Sequence, residues 1–279
     1  MRVAGLWIYP VKSLGGVAMQ VAHAGDLGFE GDRRWMLVDT DSRFLTQREH
    51  ARLALGRVTL GDGARTPGAL TLDAPGLSPL DVVPPAANAP RVAVSIFGDV
   101  VEATLAAPDA HAWATAWLGA PTRLVYMPDD AHRAVDPRYA APGDRTAFTD
   151  GYPVLVASQA SLDDLNTRLA AAGAASVGVE RFRPNVLVGA NDGESLAPYA
   201  EDEWSALRLG DGVELAIVKP CARCVVTTID QQSATRGTEP LRTLAGYRRR
   251  GTKVLFAQNA VVRAGGVVRV GDHAAVPLC

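Results

Sequence analysis

Two of the three cysteines in this 279-residue chain, Cys221 and Cys224, stand three positions apart within "KPCARCVVTTID", residues 219 to 230. Such a pair opens several chemistries: half of a zinc site, a redox dithiol, a disulfide, or a thiolate ligand to another metal. Zinc needs four N or S donors in a tetrahedron, and His23, His50, His111, His132 and His273 are scattered singly. A thioredoxin-like dithiol needs its first cysteine at the start of a helix, where the dipole lowers the thiol pKa. Here "VELAIVKP" and "CVVTTID" both read as β, so the pair is expected on a strand-loop-strand.

For Cys221, a small buried hydrophobe is as good a reading as any function. Beside Cys224, Arg223 and Lys219 are cations that favour thiolate, the form that binds metal. One thiolate does not hold a bare ion. It does complete the coordination of a metal that arrives on an organic ligand. Such a ligand brings phosphate, and basic residues gather in loops beside strand ends: Lys12 and Ser13 in "YPVKSLGG", Arg33 and Arg34 in "GDRRW", Arg181, Arg183 and Asn185 in "RFRPN". There, backbone N–H groups and guanidinium forks can meet an anion together. On a solvated face the same arginines would only carry charge.

The elements that must position these residues are mostly strands. Short β-like runs fill the first 127 residues ("VAGLWIY", "VAMQVAHA", "RWMLVD", "RFLTQ", "LALGRVTL", "ALTLDA", "RVAVSIF", "VVEATL"), divided by Gly, Pro and Asp. "PGLSPLDVVPPAANAPR" reads as a long loop, and "DAHAWATAWLG" as a helix with Trp113, Trp117 and Leu118 on one face. Residues 128 to 146 read as a linker or lid. Beyond them "PVLVAS" is a buried strand, and "SQASLDDLNTRLAAAG" a helix with Ser158 as N-cap and Leu162, Leu165 and Leu169 facing inward. "PNVLVGA", "ALRLGDGVELAIVKP" and "KVLFAQNAVVRAGGVVRVGD" are further strands, with "GDG" and "AGG" as hairpin turns, and "EPLRTLAGYRRR" is a short helix. The class expected is mainly β with a few helices, in a barrel-rich architecture rather than a doubly wound α/β sheet.

A formal charge of -2 gives no ground for a nucleic-acid partner, and no apolar run approaches the roughly 20 residues of a membrane span. "MRVAGLWIYPVKSLGG" reads as a first strand rather than a signal peptide, so the cytoplasm is the expected compartment and a disulfide framework is not expected.

The ordered set "IYPVKS", "GDRRWMLVD", "FLTQRE", "SQASLDDLN", "RFRPN", "CARCVVTTID", "FAQN" and "VRVGD" resembles the MOSC superfamily, and specifically the two-part proteins similar to mitochondrial amidoxime-reducing component and their bacterial YcbX-like relatives. The resemblance implies a smaller β-rich N-terminal domain over 1–127, whose first strands pack into the barrel, and a β-barrel MOSC domain over 128–279. It implies a molybdenum-molybdopterin cofactor (Moco), with Cys224 as metal ligand and sole catalytic side chain. Lys12, Ser13, Arg33, Asp150, Arg183, Asn185, Arg223 and Asn259 match cofactor-contacting positions. Relatives carry small hydroxyl residues where this chain has Gly151 and Tyr152. The activity implied is reduction of N-hydroxylated small molecules, namely amidoximes, hydroxylamines and N-hydroxylated bases. A plant-type iron-sulfur cluster takes four cysteines and this chain has three, so the electron donor is expected to be separate, a flavoprotein reductase with or without a ferredoxin. Two alternatives stay open: a cofactor carrier or sulfur-transfer protein, and a thiol-disulfide switch at Cys221 and Cys224.

Overall fold

A computed structural model describes residues 1–61 and 68–277. Its largest sheet runs in the order Ala274–Ala275, Ala206–Leu209, Val213–Ala222, Lys253–Ala264, Val154–Ser158, Val186–Gly189, Arg2–Ile8 and Val17–Met19, with Arg249–Arg250 paired to one side of Lys253–Ala264. Every neighbouring pair is antiparallel except Val154–Ser158 with Val186–Gly189. The first strand closes the sheet: Val3 N donates to Asp272 O, Gly271 N to Val3 O and Ala274 N to Met1 O. Closure removes the open edges that an extended sheet leaves unpaired.

The barrel core is an alternation made three-dimensional. Val3, Leu6 and Ile8 point inward from the first strand and meet Val154, Val156, Val186, Val188, Leu207 and Leu215. Val154–Ser158 is buried along its whole length, as its unbroken apolar run requires once a neighbour covers each face. Helix α2, Gln159–Ala171 (the second of three α-helices among the described residues), starts where Ser158 Oγ accepts from Ser161 N, and buries Leu162, Leu165 and Leu169 against the outer face. Helix α1, Pro108–Leu118, and helix α3, Leu241–Tyr247, also fall where the pattern put them.

Val21–Gly25 and Gly28–Phe29 form a small sheet with Gly266–Arg269, and the rest of the N-terminal part forms two further sheets. Trp35–Val38, Arg123–Tyr126, Asp99–Leu105 and Arg91–Ile96 make one; Arg57–Leu60, Leu70–Asp73 and Leu80–Val82 make the other. The expected loop "PGLSPLDVVPPAANAPR" thus contains a strand, because Leu80 and Val82 can complete an apolar face that Leu70 and Leu72 leave half covered. Residues 128–146 are pinned rather than free: Arg133 donates to Ala147 O at 3.0 Å and Thr149 O at 2.7 Å, and to Asp99 at 2.8 Å.

Three other local readings are corrected. "AGG" is no hairpin: Gly266–Arg269 leaves the large sheet and pairs with Val21–Gly25, and a side chain at Gly265 would meet Ala24 O at 2.7 Å. "RFLTQ" is not a strand beyond Phe44, because Thr46 Oγ1 accepts from Arg48 N at 2.8 Å and turns the chain. "CVVTTID" is a 3-10 turn over Val225–Thr228, since the Thr227 and Thr228 hydroxyls donate back to the Cys224 and Val225 carbonyls at 2.9 and 2.8 Å. Local side-chain bonding there outcompetes β propensity. Among the described residues no helix is long and apolar enough to cross a membrane.

Candidate functional site

A cleft of about 270 Å³ lies between the barrel and the N-terminal sheets. Lys12, Ser13, Arg33, Asp150, Arg183, Asn185, Arg223, Cys224 and Asn259 all line it, although the chain separates the first from the last by more than two hundred residues. Arg34 and Arg181 do not. Arg34 turns to Met127 O and Asp129, and Arg181 to Asp230 at 3.0 Å.

The loop after the first strand supplies Lys12, 5% exposed, whose Nζ lies 2.6 Å from Asp150 Oδ1 and 4.9 Å from the Phe97 ring centre. Burial pushes the Lys12 ammonium down to about 8, partly offset by Asp150. Desolvation by the cleft walls works to raise Asp150, whose side chain is 68% exposed, but Lys12 and then Arg48 and Arg33 outweigh it and hold the carboxyl well below the usual range. Arg33 and Arg183 each place Cζ 4.2 Å from the centre of the Tyr9 ring. Asp32, almost wholly buried, accepts from Arg33 Nη1 at 2.6 Å and from Tyr9 N at 2.7 Å, while Asn185 Oδ1 accepts from Arg33 Nη1 and from Leu155 N. Burial, then Arg33, lowers Arg183 to about 10. Ser13, Arg33 and Arg183 all adopt positive φ (71°, 48° and 57°), a conformation that costs non-glycine residues energy and gathers at functional sites.

Cys221 ends the strand Val213–Ala222 and Cys224 begins the 3-10 turn; both are free thiols of intermediate exposure, while Cys279 lies outside the described residues. The expected pairing of cations with Cys224 needs correction. Arg223 Nη1 donates to Cys221 Sγ at 2.9 Å and its Nη2 to Phe182 O, because the backbone between the two cysteines points that side chain back along the strand. Lys219 sits 4.3 Å from the Tyr139 ring centre. The cation coupled electrostatically to Cys224 is Arg48, which donates to Asp150 at 3.2 Å.

Arg48, Thr46, Gln47, Tyr152, Lys219 and Lys253 also line the cleft; of these the sequence pattern places only Lys219 near the thiol. The motif "FLTQRE" carried the signal, a polar cluster directly after an apolar pair, but its contact with Cys224 is long-range. Gln47 staples this segment to the barrel side through Ser13 O and a two-way bond with Gln231, and Arg236 donates to Arg48 O at 2.9 Å.

The lining fits a bulky anion that brings its own metal. Seven cations (Lys12, Arg33, Arg48, Arg183, Lys219, Arg223, Lys253) face one carboxylate, Asp150. Two buried polar atoms in the cleft lack a partner, Tyr152 Oη and Arg223 Nε, and both can donate. Among the described residues no three His, Cys, Asp or Glu side chains stand together as ligands for a bare ion.

Comparison with known proteins agrees. Residues 143–275 match the MOSC domain, and residues 1–121 match the MOSC N-terminal beta barrel domain. The chain is 34% identical to "Mitochondrial amidoxime-reducing component 1" of Homo sapiens across 97% of its own length and 81% of the relative's. It is 32% identical to "Mitochondrial amidoxime reducing component 2" of Rattus norvegicus, again over 97% and 81%. The chain belongs to the MOSC-domain family of amidoxime-reducing components.

Proposed function

We propose that this protein binds molybdenum cofactor and reduces N-hydroxylated compounds (amidoximes, hydroxylamines, N-hydroxylated bases) with electrons from a separate redox partner. The observation that carries the reading is Cys224, one of two thiols in the cleft and the one Arg223 does not bind, in a lining whose cations outnumber its carboxylates seven to one. Cys224 would ligate the metal. Lys12, Ser13, Arg33 and Arg183 would hold phosphate, with Asn185 and Asp32 fixing Arg33 in place. Arg223 and Asn259 would meet the pterin, and Asp150 holds Lys12 and Arg48 toward the anion. When bound, the cofactor supplies the two-electron chemistry that removes oxygen from an N–O bond.

Loss of that oxygen as water consumes two protons. Burial pushes the Tyr152 phenol up to about 12, so it keeps its proton at neutral pH and can offer a hydrogen bond to the substrate. Lys12, lowered to about 8, stays mostly ammonium at pH 7 and exchanges its proton readily. The division at 127/128 falls between the two family-matched stretches, which supports an N-terminal unit contributing Lys12, Arg33 and Arg48 to a site whose thiol comes from the barrel.

Protein made in a host that synthesises the cofactor should release a fluorescent pterin on oxidation. With reduced viologen it should consume a hydroxylamine-type substrate. Cofactor without turnover would favour the carrier or sulfur-transfer reading instead.

A further inference from the structure

We infer that the basic hairpin beside the cleft is the docking surface for a small acidic one-electron carrier protein. This rests on the reductase reading. Arg249–Arg250 pairs with Lys253 and Val254 around the tip at Gly251 and Thr252, and Arg249, Arg250 and Lys253 are all exposed. Among the described residues Arg249 and Lys253 make no ion pair. Arg250 only approaches Asp202 at 4.0 Å, where Arg248 already holds the carboxylate at 2.7 Å. Three like charges on one short hairpin repel one another without an acidic partner.

The hairpin is continuous with the thiol site. Lys253 lines the cleft, and Arg223 N donates to Val254 O at 2.8 Å, tying the hairpin to the cysteine segment. Val225, adjacent to Cys224, is 48% exposed, an apolar spot on the cysteine segment that Arg223 ties to the hairpin. An apolar centre beside charges that steer the approach is the anatomy of a transient interface.

The stoichiometry points to the partner. R=N–OH plus two electrons and two protons gives R=NH and water, and with a one-electron carrier as donor two reduced carriers are each oxidised once per N–O bond broken. Each must bring its redox centre to the Cys224 side and leave again. Opposite charge speeds such encounters without locking the complex. Three exposed cations fall short of the four to eight that typify anionic-membrane segments.

The test uses cofactor-loaded protein and a plant-type [2Fe–2S] ferredoxin, with Kd read by calorimetry at about 50 and 300 mM salt. Wild type should bind at low salt and weaken at high salt. Arg249→Glu with Arg250→Glu should weaken binding about tenfold at low salt while viologen-driven turnover stays unchanged. Arg249→Gln with Arg250→Gln should fall between. Equal Kd values for wild type and variants, salt-insensitive binding, or loss in the variants of phosphatidylserine-vesicle binding alone would overturn the surface. Absence of viologen-driven turnover in the wild type strikes the reductase reading, whereas ferredoxin binding that ignores the hairpin strikes the docking surface.

Discussion

The Arg223 guanidinium grips Cys221, not Cys224: Nη1 lies 2.9 Å from the Cys221 sulfur, while Cys224 is met by Arg48 from the other half of the molecule. Separate roles for the two thiols are therefore expected. Cys224→Ser should lose the protein-derived Mo–S distance in X-ray absorption and at least about a hundredfold in viologen-driven turnover. Cys221→Ser should keep cofactor content and stay within about threefold of wild-type turnover. Equal losses would restore the thiol-disulfide switch.

Arg48 donates to Asp150 at 3.2 Å and is coupled electrostatically to Cys224. Arg48→Gln should reduce cofactor retention about tenfold, in line with other losses of groups that support metal ligands. Pterin released per protein, measured by fluorescence after gel filtration, reads this directly. Arg48→Lys should recover part of it, since an ammonium restores the charge but not the fork.

Lys12 makes anion binding depend on pH. Its charge is complete well below about 8 and is lost as pH rises through that value. Affinity for sulfate, whose own charge is constant from pH 6 to 9, should therefore fall with an inflection near 8, and Lys12→Arg should abolish that inflection. Stability moves the other way. The folded pKa is depressed, so the unfolded chain binds more protons between about 8 and the ordinary lysine value of about 10.4, and Lys12's contribution to stability rises with pH across that window. Calorimetric titration and thermal melts across the range check both signs.

Ser13 holds its positive φ at a cost of about 1–2 kcal/mol. Ser13→Gly should leave stability within about 1 kcal/mol, because glycine's greater freedom in the unfolded chain offsets the relief of strain. Ser13→Val should destabilise by about 1–3 kcal/mol. Both variants should retain less cofactor, which separates the side chain's role from the backbone's.

The buried Tyr152 hydroxyl lacks a partner, and such a group costs about 1–3 kcal/mol. Tyr152→Phe should raise the melting temperature of cofactor-free protein by a few degrees, about 1 kcal/mol in a chain of this size, and weaken cofactor or substrate binding when loaded. A melting point that falls instead would mean that the phenol is satisfied.

The amino-acid sequence by itself determined the elements whose signals are local. Helix α2 follows from Ser158 and the Leu162, Leu165, Leu169 spacing, the buried strand Val154–Ser158 from its unbroken apolar run, and the family from the ordered motifs that carry the site residues. Lys12, Arg33, Arg183 and Cys224 were legible for the same reason: each lies within a short motif of its own.

Only the tertiary structure decided what those motifs do to one another. Whether Arg223 or Arg48 reaches Cys224, whether "CVVTTID" extends or coils, and whether "AGG" turns back or crosses to another sheet depend on contacts across long sequence separations. Burial and charge proximity are properties of the folded chain: Lys12 is an ordinary lysine in the sequence, and burial beside Phe97 and Phe44 pushes it down to about 8 although Asp150, 2.6 Å away, works to raise it.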